Sequence, residues 1–529
     1  MADILLFLSA GLLAIALTGR FPFSGVYSSP FGVIRIGPKP TIWVALFVLS
    51  ALARITLRQE GGRISGLATH PTPVRLFLIS LFMYNANGAQ HGAVDTIATR
   101  FLPYSILKEG DFDLDEFRFL YAHGIPGYLI QSGGHLVSAY PPGPAILALP
   151  FFLLPVLGGV PPDFRLLTDV EKLAAAVITA LSVALIFQII RMLEGLKAAL
   201  ILSLIYAFAT SSFSISSQAL WQHGPSQLLL AASLYFLVRG LEKPGWVAFS
   251  GFTLGWAVLC RPTDLFIAIP LALYVLCEHR DQAVRFILLV LPSIIVMAIY
   301  NFRYFGSISR IDYDMGFFSG NGWATPFWEE LSGILISPSR GLFIYSPIFL
   351  FAPLGIFLAW RRMEPPLLKY LSVAVVLVVT VYSKWIMWWG GWTFGPRLLA
   401  DITPLLTLLL IPAFRRIEQH LTIRNGFYVL AGISIAIHRL GAFFPSNWNP
   451  DVEGRLWSWS DGQLINSIRV PLSKVTGRYY PIDIPSMEIV IDKTSFRVGE
   501  EASITLTLHA GRNPVPSDAY LKFNGAHKG

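Results

Sequence analysis

The residues best suited to chemistry in this chain are a carboxylate, Asp95, and three cations, Arg261, Lys384 and Arg397, each at the edge of an apolar run. Asp95 stands at the end of the run that closes in HGAVDT. A carboxylate where a helix leaves lipid is partly desolvated, which raises its basicity and suits it to take a proton from a hydroxyl. The structural alternative is a helix-end carboxylate paired with Arg100. Arg261 occupies the short turn CRPTD, whereas Lys384 and Arg397 flank KWIMWWGGWTFGPR, an aromatic loop that holds Trp389 and a Gly390-Gly391 hinge. Arg303, Arg310 and Arg340 bracket the connection from 302 to 342. Cations among Trp and Tyr at an interface suit a phosphate head group whose lipid tail stays in the bilayer. An ordinary aromatic belt, with local ion pairs Arg261–Asp264 and Arg397–Asp401, would leave the same pattern.

Two further groups are candidates. The alternating carboxylates Asp111, Asp113, Asp115 and Glu116 can hold a divalent cation, although a solvated acidic loop looks identical. His223, in QALWQHGP, can serve as a metal ligand or contact a substrate, and a hydrogen-bonded interfacial histidine is the plainer alternative.

The elements that must position these groups are membrane helices. With 54% hydrophobic and 14% charged residues over 529 positions, the chain has more apolar surface than a soluble domain can bury. It is therefore expected to be an all-α polytopic membrane protein. Runs near the roughly 20 residues a span requires fall at 3–18, 41–57, 76–93, 171–190, 198–212, 224–238, 246–260, 263–277, 286–301, 343–360, 370–387, 398–413 and 426–442, about thirteen in all. The formal charge of +8 sits mostly in the turns between runs, where it sets orientation, so nucleic acid is not an expected partner. Arg58, Arg191 with Lys197, Arg239, Arg280, Arg361 and Arg415 with Arg416 fall on one side, cytoplasmic if the N-terminus is. The candidate residues fall on the other. Residues 4–17 lack a basic preceding region and a clear cleavage site, so a retained first helix is expected. Cys260 and Cys277 lie near opposite ends of one expected helix, about 25 Å apart at roughly 1.5 Å per residue, too far to bridge.

Counting 140–157 as a span would invert the charge pattern after it, so that segment, headed by Tyr140-Pro141-Pro142, is expected to lie along the outer interface. Before it, β-prone runs around Gly133-Gly134 signal a hairpin. The expected organisation is a transmembrane domain over 1–442, with 94–170 as the first large outer loop. A β-rich outer tail over 443–529 carries strands at 487–492, 504–510 and 520–523, too few to close a sandwich.

In their order and sidedness these features resemble the GT-C superfamily of polyprenyl-phosphate-sugar-dependent glycosyltransferases, in the branch of protein O-mannosyltransferases and lipid A aminoarabinose transferase. The resemblance covers about residues 76–413. It rests on Asp95 after an early helix, Tyr140-Pro141-Pro142 at the head of an interfacial helix, the inner basic turn at Arg191 and Lys197, and Arg261 at the end of a later helix. The outer turn that often holds Pro-Asp in that branch reads Gln222-His223-Gly224-Pro225 here. The resemblance implies an inverting transfer from a polyprenyl-phosphate sugar to a hydroxyl of a glycan, lipid or protein. Asp95 would be the general base, and Arg261 with Arg397 or Lys384 would meet the phosphate. Tyr140, His223, Arg303 and Trp389 complete the expected substrate contacts. Metal dependence is left open by the sequence; a divalent metal is the candidate cofactor, with Asp111, Asp113 and His223 as its candidate ligands. A transporter or lipid flippase, or a non-catalytic assembly subunit, is the competing class. Transporters carry their ionisable residues and internal repeats at mid-membrane, whereas here the candidates gather at one face.

Overall fold

In a computed structural model the described residues are 25–29, 32–36, 47, 48, 50, 51, 72–121, 124–162, 164–308, 320–323, 325–361, 364–444, 452–476, 486–491 and 504–509. The expected span at 3–18, most of 41–57, Arg310 and the strand at 520–523 lie outside them.

The first described helix, α1 (Thr72–Asn85), stops eight residues before the expected end of its apolar run. Just beyond the helix end the side-chain amide of Asn87 donates to Gln218 Oε1 and the Ala442 carbonyl, both at 2.7 Å, and anchors the connection. A new helix, α2 (Val94–Lys108), then starts with Asp95 in its first turn. Asp95 thus heads a helix of its own rather than ending a span, and a carboxylate there is favoured by the helix dipole. Strands β3 (Leu129–Ser132) and β4 (His135–Ser138) form the expected antiparallel hairpin across Gly133-Gly134, the first hairpin being β1 (Gly25–Ser29) with β2 (Gly32–Ile36). Two residues after β4 comes Tyr140, then α3 (Gly143–Leu157), entered through Pro141-Pro142.

The remaining helices are α4 (Phe164–Leu193), α5 (Leu196–Phe208), α6 (His223–Gly240), α7 (Phe249–Cys260), α8 (Leu265–Glu278), α9 (Ala283–Phe305), α10 (Phe327–Ile336), α11 (Ala352–Arg361), α12 (Leu367–Tyr382), α13 (Thr403–Ile417), α14 (Leu421–Phe443) and α15 (Gln463–Thr476). Among the described residues, four helical stretches are long and apolar enough to cross a membrane: Arg165–Leu193, Arg280–Phe305, Arg397–Ile417 and Leu421–Phe443. Several shorter apolar helices accompany them. Helix α13 is the axis of the bundle. It is apolar around its circumference, as a helix buried on all sides must be, and it packs on α5, α11 and α12. Helix α9 packs on α7 and leaves most of its length exposed, the place of a helix that meets lipid.

The two ends of α13 differ. At its C-terminal end Arg415 holds Glu194, from the α4–α5 turn, and Glu364, from the α11–α12 connection (Nη1 to Oε1, 2.7 Å), so basic turns distant in sequence meet there. At its N-terminal end gather α2, Tyr140, the turn before α6 and the Arg261 turn. The tail departs from expectation. Residues 463–476 are helical, and β structure is confined, among the described residues, to β5 (Ser486–Ile491) paired with β6 (Ile504–His509).

Candidate active site

Asp95 points to the N-terminal end of α13. Its Oδ1 accepts a hydrogen bond from the Tyr140 hydroxyl at 3.0 Å, and its Oδ2 is ion-paired with Arg397 Nη1. Tyr140 reaches it because of a close approach. A Cβ on Gly143 would lie 2.7 Å from the backbone of Leu259 and Cys260. Only glycine lets the start of α3 seat against the end of α7, and this sets Tyr140 beside the turn that carries Arg261. Arg397 precedes α13 in a 3₁₀ turn, Arg397–Ile402, and its guanidinium lies 5.0 Å from the centre of the Trp221 ring. Trp221 is held in turn by its Nε1, which donates to the His91 carbonyl at 3.1 Å.

The second cation is anchored differently. Arg261 Nε lies 2.7 Å from Asp401 Oδ2, and its Nη2 donates to the Tyr382 hydroxyl at 2.6 Å. The Tyr382 hydroxyl then donates to Thr263 Oγ1 at 2.9 Å. His223 Nδ1 stands 2.9 Å from Asp401 Oδ1, and its Nε2 is 3.5 Å from Arg261 Nη1. His223 also lies within electrostatic reach of Asp95 and Arg397, so the two ion pairs are neighbours. The local pairings that the sequence allowed do not form. Asp264 instead accepts from Ser226 at 2.5 Å, and Arg100 pairs with the buried Glu171 (Nε to Oε2, 2.5 Å).

Asp95 does not have the raised basicity expected of a desolvated carboxylate. Burial pushes its pKa up, but the charge of Arg397, the Arg397 hydrogen bond and the Tyr140 hydrogen bond outweigh that and hold it below the ordinary carboxylate value. A carboxylate paired this way is ionised but a weak base.

Other expected site residues stand apart. Lys384 donates to the Thr325 carbonyl at 2.9 Å and makes no hydrogen bond or ion pair with Asp95 or Asp401. Trp389 is buried and uses its carbonyl to accept from Arg340 Nε at 2.8 Å, which makes it part of the loop's scaffold. Arg303 lies over the Tyr304 ring and lines a cavity of about 350 Å³ with Asp111 and Phe112, not with Asp95. The candidate metal set is regrouped as well. His223 is taken up by Asp401 and faces a guanidinium, which occupies the position a cation would need. Asp111 accepts from Ser105 at 2.8 Å. Among the described residues, the groups that come within 4.8 Å of one another are Asp113, Asp115 and His135. They pin the hairpin: His135 Nδ1 is 2.8 Å from Asp115 Oδ2, and Leu136 N donates to Asp115 Oδ1 at 2.7 Å. Burial, then repulsion from Asp111, raises the Asp113 pKa above its ordinary value.

Several contributors escaped the sequence. Trp221 and Gln222 adjoin His223 in a motif already marked, so their proximity to it was a usable signal. Glu171 and Gln463 had none. Glu171 lies near the N-terminal end of α4, where its second oxygen accepts from Leu220 N at 3.0 Å, just before Trp221. Gln463, from the tail, accepts from Arg340 Nη1 at 2.8 Å and Gly395 N at 2.9 Å and donates to the Thr393 carbonyl at 2.8 Å, which ties down the loop leading to Arg397.

Residues 169–302, from α4 into α9, match the family of dolichyl-phosphate-mannose-protein mannosyltransferases. The chain resembles the GT-C superfamily of glycosyltransferases. The matched segment contains His223 and Arg261 and stops short of Asp95 and Arg397 on either side. No curated protein matches the chain. Among solved structures, ArnT from Cupriavidus metallidurans bound to undecaprenyl phosphate is similar at 13% identity and a TM-score of 0.43, over 77% of this chain and 78% of that one. The Archaeoglobus fulgidus oligosaccharyltransferase in its apo form is similar at 11% identity and a TM-score of 0.43, over 72% of this chain and 57% of that one.

Proposed function

We propose that this protein is an inverting glycosyltransferase that moves a sugar from a polyprenyl-phosphate donor to an acceptor hydroxyl on the extracytoplasmic face of the membrane. The observation that carries the proposal is the convergence at one end of α13 of a carboxylate, Asp95, and two guanidinium groups, Arg397 and Arg261, from segments far apart in the chain. The acceptor O–H gives its proton to Asp95 as its oxygen bonds to the sugar C1. The bond from C1 to the phosphate oxygen breaks, and its electron pair leaves with the polyprenyl phosphate. Preorganised cations stabilise that growing negative charge, so the leaving group needs no proton. Tyr140 holds the base in place, and His223 with Asp401 orients Arg261. Asp113, Asp115 and His135 are the residues that would hold a divalent cation.

The decisive test is transfer from radiolabelled polyprenyl-phosphate sugars by membranes that contain wild-type protein or the Asp95→Asn variant. Label should move to an acceptor in the first and not in the second. Wild-type membranes that use no donor in the panel would sink the proposal. The orientation is tested with an impermeant thiol reagent in intact cells, in a background without Cys277. A cysteine at Gly134 should react and one at Leu196 should not.

A further inference from the structure

Arg397 and Arg261 both face carboxylates, but they are held with different completeness. Arg261 distributes its nitrogens over Asp401, Tyr382, Gln222 and His223. Arg397 commits Nη1 to Asp95; its buried Nε, like that of Arg261, makes no hydrogen bond, but the Arg261 guanidinium has Tyr382, Gln222 and His223 as further partners. A buried guanidinium N–H without an acceptor costs free energy, and the fork geometry of arginine matches phosphate oxygens in pairs. The side chain lies on the flat face of Trp221, a surface along which it can shift without losing its contact. Its backbone is held by the Gln463 and Arg340 hydrogen bonds to the loop before it, so that shift is a movement of the side chain alone. Asp95, in contrast, has a second anchor. The Tyr140 hydroxyl holds Oδ1, independently of the pairing at Oδ2.

We infer that Arg397 is an exchangeable partner: Asp95 holds it until the phosphate of the lipid donor takes it over, and that transfer frees the carboxylate to accept the acceptor's proton. The inference rests on the donor assignment proposed above. The charged and titratable groups that face Asp95 are Arg397, Tyr140 and His223. Of these, Arg397 alone has its charge in the contact and a donor to spare. The depressed pKa of the paired carboxylate agrees with this order of events, since a base engaged by a guanidinium cannot act until the pairing is undone. The consequence is ordered binding. Donor must arrive before the acceptor's proton can be taken, because the base is free only once the phosphate holds Arg397.

The test is equilibrium binding of undecaprenyl phosphate, with undecaprenol as the phosphate-free control, to the full-length protein in detergent micelles. If Asp95 and the phosphate compete for Arg397, Asp95→Asn should tighten phosphate binding by about tenfold, the scale of a close charge pair. Arg397→Ala should weaken it, and adding Asp95→Asn to Arg397→Ala should bring no gain. Arg397→Lys, which keeps a charge and is the milder change should the alanine variant not fold, should show a reduced gain from Asp95→Asn. An equal gain from Asp95→Asn in the Arg397→Ala and wild-type backgrounds would mean simple repulsion through space and would overturn the exchange, as would weaker binding by Asp95→Asn. Wild-type protein that binds undecaprenol and its phosphate equally would overturn the donor assignment itself, and the exchange with it.

Discussion

The two ends of α13 carry the same kinds of side chain in opposite states. At the C-terminal end Arg415 is closed off by Glu194 and Glu364 on a half-exposed surface, its side chain 38% accessible. At the N-terminal end Arg397 is 14% accessible, lies against an aromatic face and has one nitrogen idle. Exposed ion pairs contribute roughly 0–1 kcal/mol because water screens them and offers alternatives. Buried ones interact strongly and leave costly remainders when broken. The C-terminal cluster therefore clips turns together, while the N-terminal one stores interactions that a ligand can redistribute.

That contrast is broken most severely at Asp95. Asparagine keeps the size and one acceptor oxygen but cannot take a proton at neutral pH. Asp95→Asn should therefore lower the transfer rate by at least about a hundredfold, within the range general-base catalysis supplies, with no weakening of donor binding. Retention of most of the rate would send the search for the base to Asp111, Asp113 and Asp115.

Next in size is Arg261→Ala. It removes a cation from the site and leaves Asp401 buried without its guanidinium, so it should cost about 3–5 kcal/mol of stability as well as donor use. Adding Asp401→Asn should restore part of the thermal unfolding midpoint and none of the donor use. A double variant that regains donor use would reduce Arg261 to a structural role.

A smaller effect is expected at Gly143. A methyl group there presses on the backbone of α7, and overpacking of this kind costs about 1–3 kcal/mol. Gly143→Ala should lower both stability and rate, because it displaces Tyr140 together with the Arg261 turn. An unchanged rate at a reduced midpoint would separate the packing from the chemistry.

The pH dependence sharpens the comparison further. Because the folded carboxyl of Asp95 lies below its ordinary value of about 3.9, it remains ionised as pH falls through the usual carboxylate range. Its contribution to stability is present above the unfolded value and is lost only as pH falls through the lower folded one. The acid limb of the free enzyme's profile should accordingly lie below that range in wild type and move upward in Arg397→Ala. An acid limb that stays in place would show that Arg397 does not control the base.

The smallest effect on rate is expected at the other end of the axis. Arg415→Ala should leave the transfer rate unchanged, and it lowers only the unfolding midpoint, because the Glu364 side chain it pairs is 6% accessible and loses its partner. A large loss of rate would erase the distinction between the two ends.

The sequence by itself determined that the chain is a helical membrane protein, where most of its helices run, that a hairpin turns at Gly133-Gly134 and that a helix follows Pro141-Pro142. Each of these depends on a local property: apolar content, charge in turns, or the backbone preferences of glycine and proline. It also singled out Asp95, Arg261 and Arg397 from their types and positions. What it left open was partnership. Neighbours along the chain suggested Asp95 with Arg100, Arg261 with Asp264 and Arg397 with Asp401. The tertiary structure instead joins Asp95 to Arg397, Arg261 to Asp401 and Arg100 to Glu171, in pairs 302, 140 and 71 residues apart. A helical repeat can bring together only residues three or four apart on one face. The charges on a buried helix end must find partners on whatever helix ends the bundle places beside them, and that placement is decided by the packing of apolar faces, which contain no information about the charges they carry along.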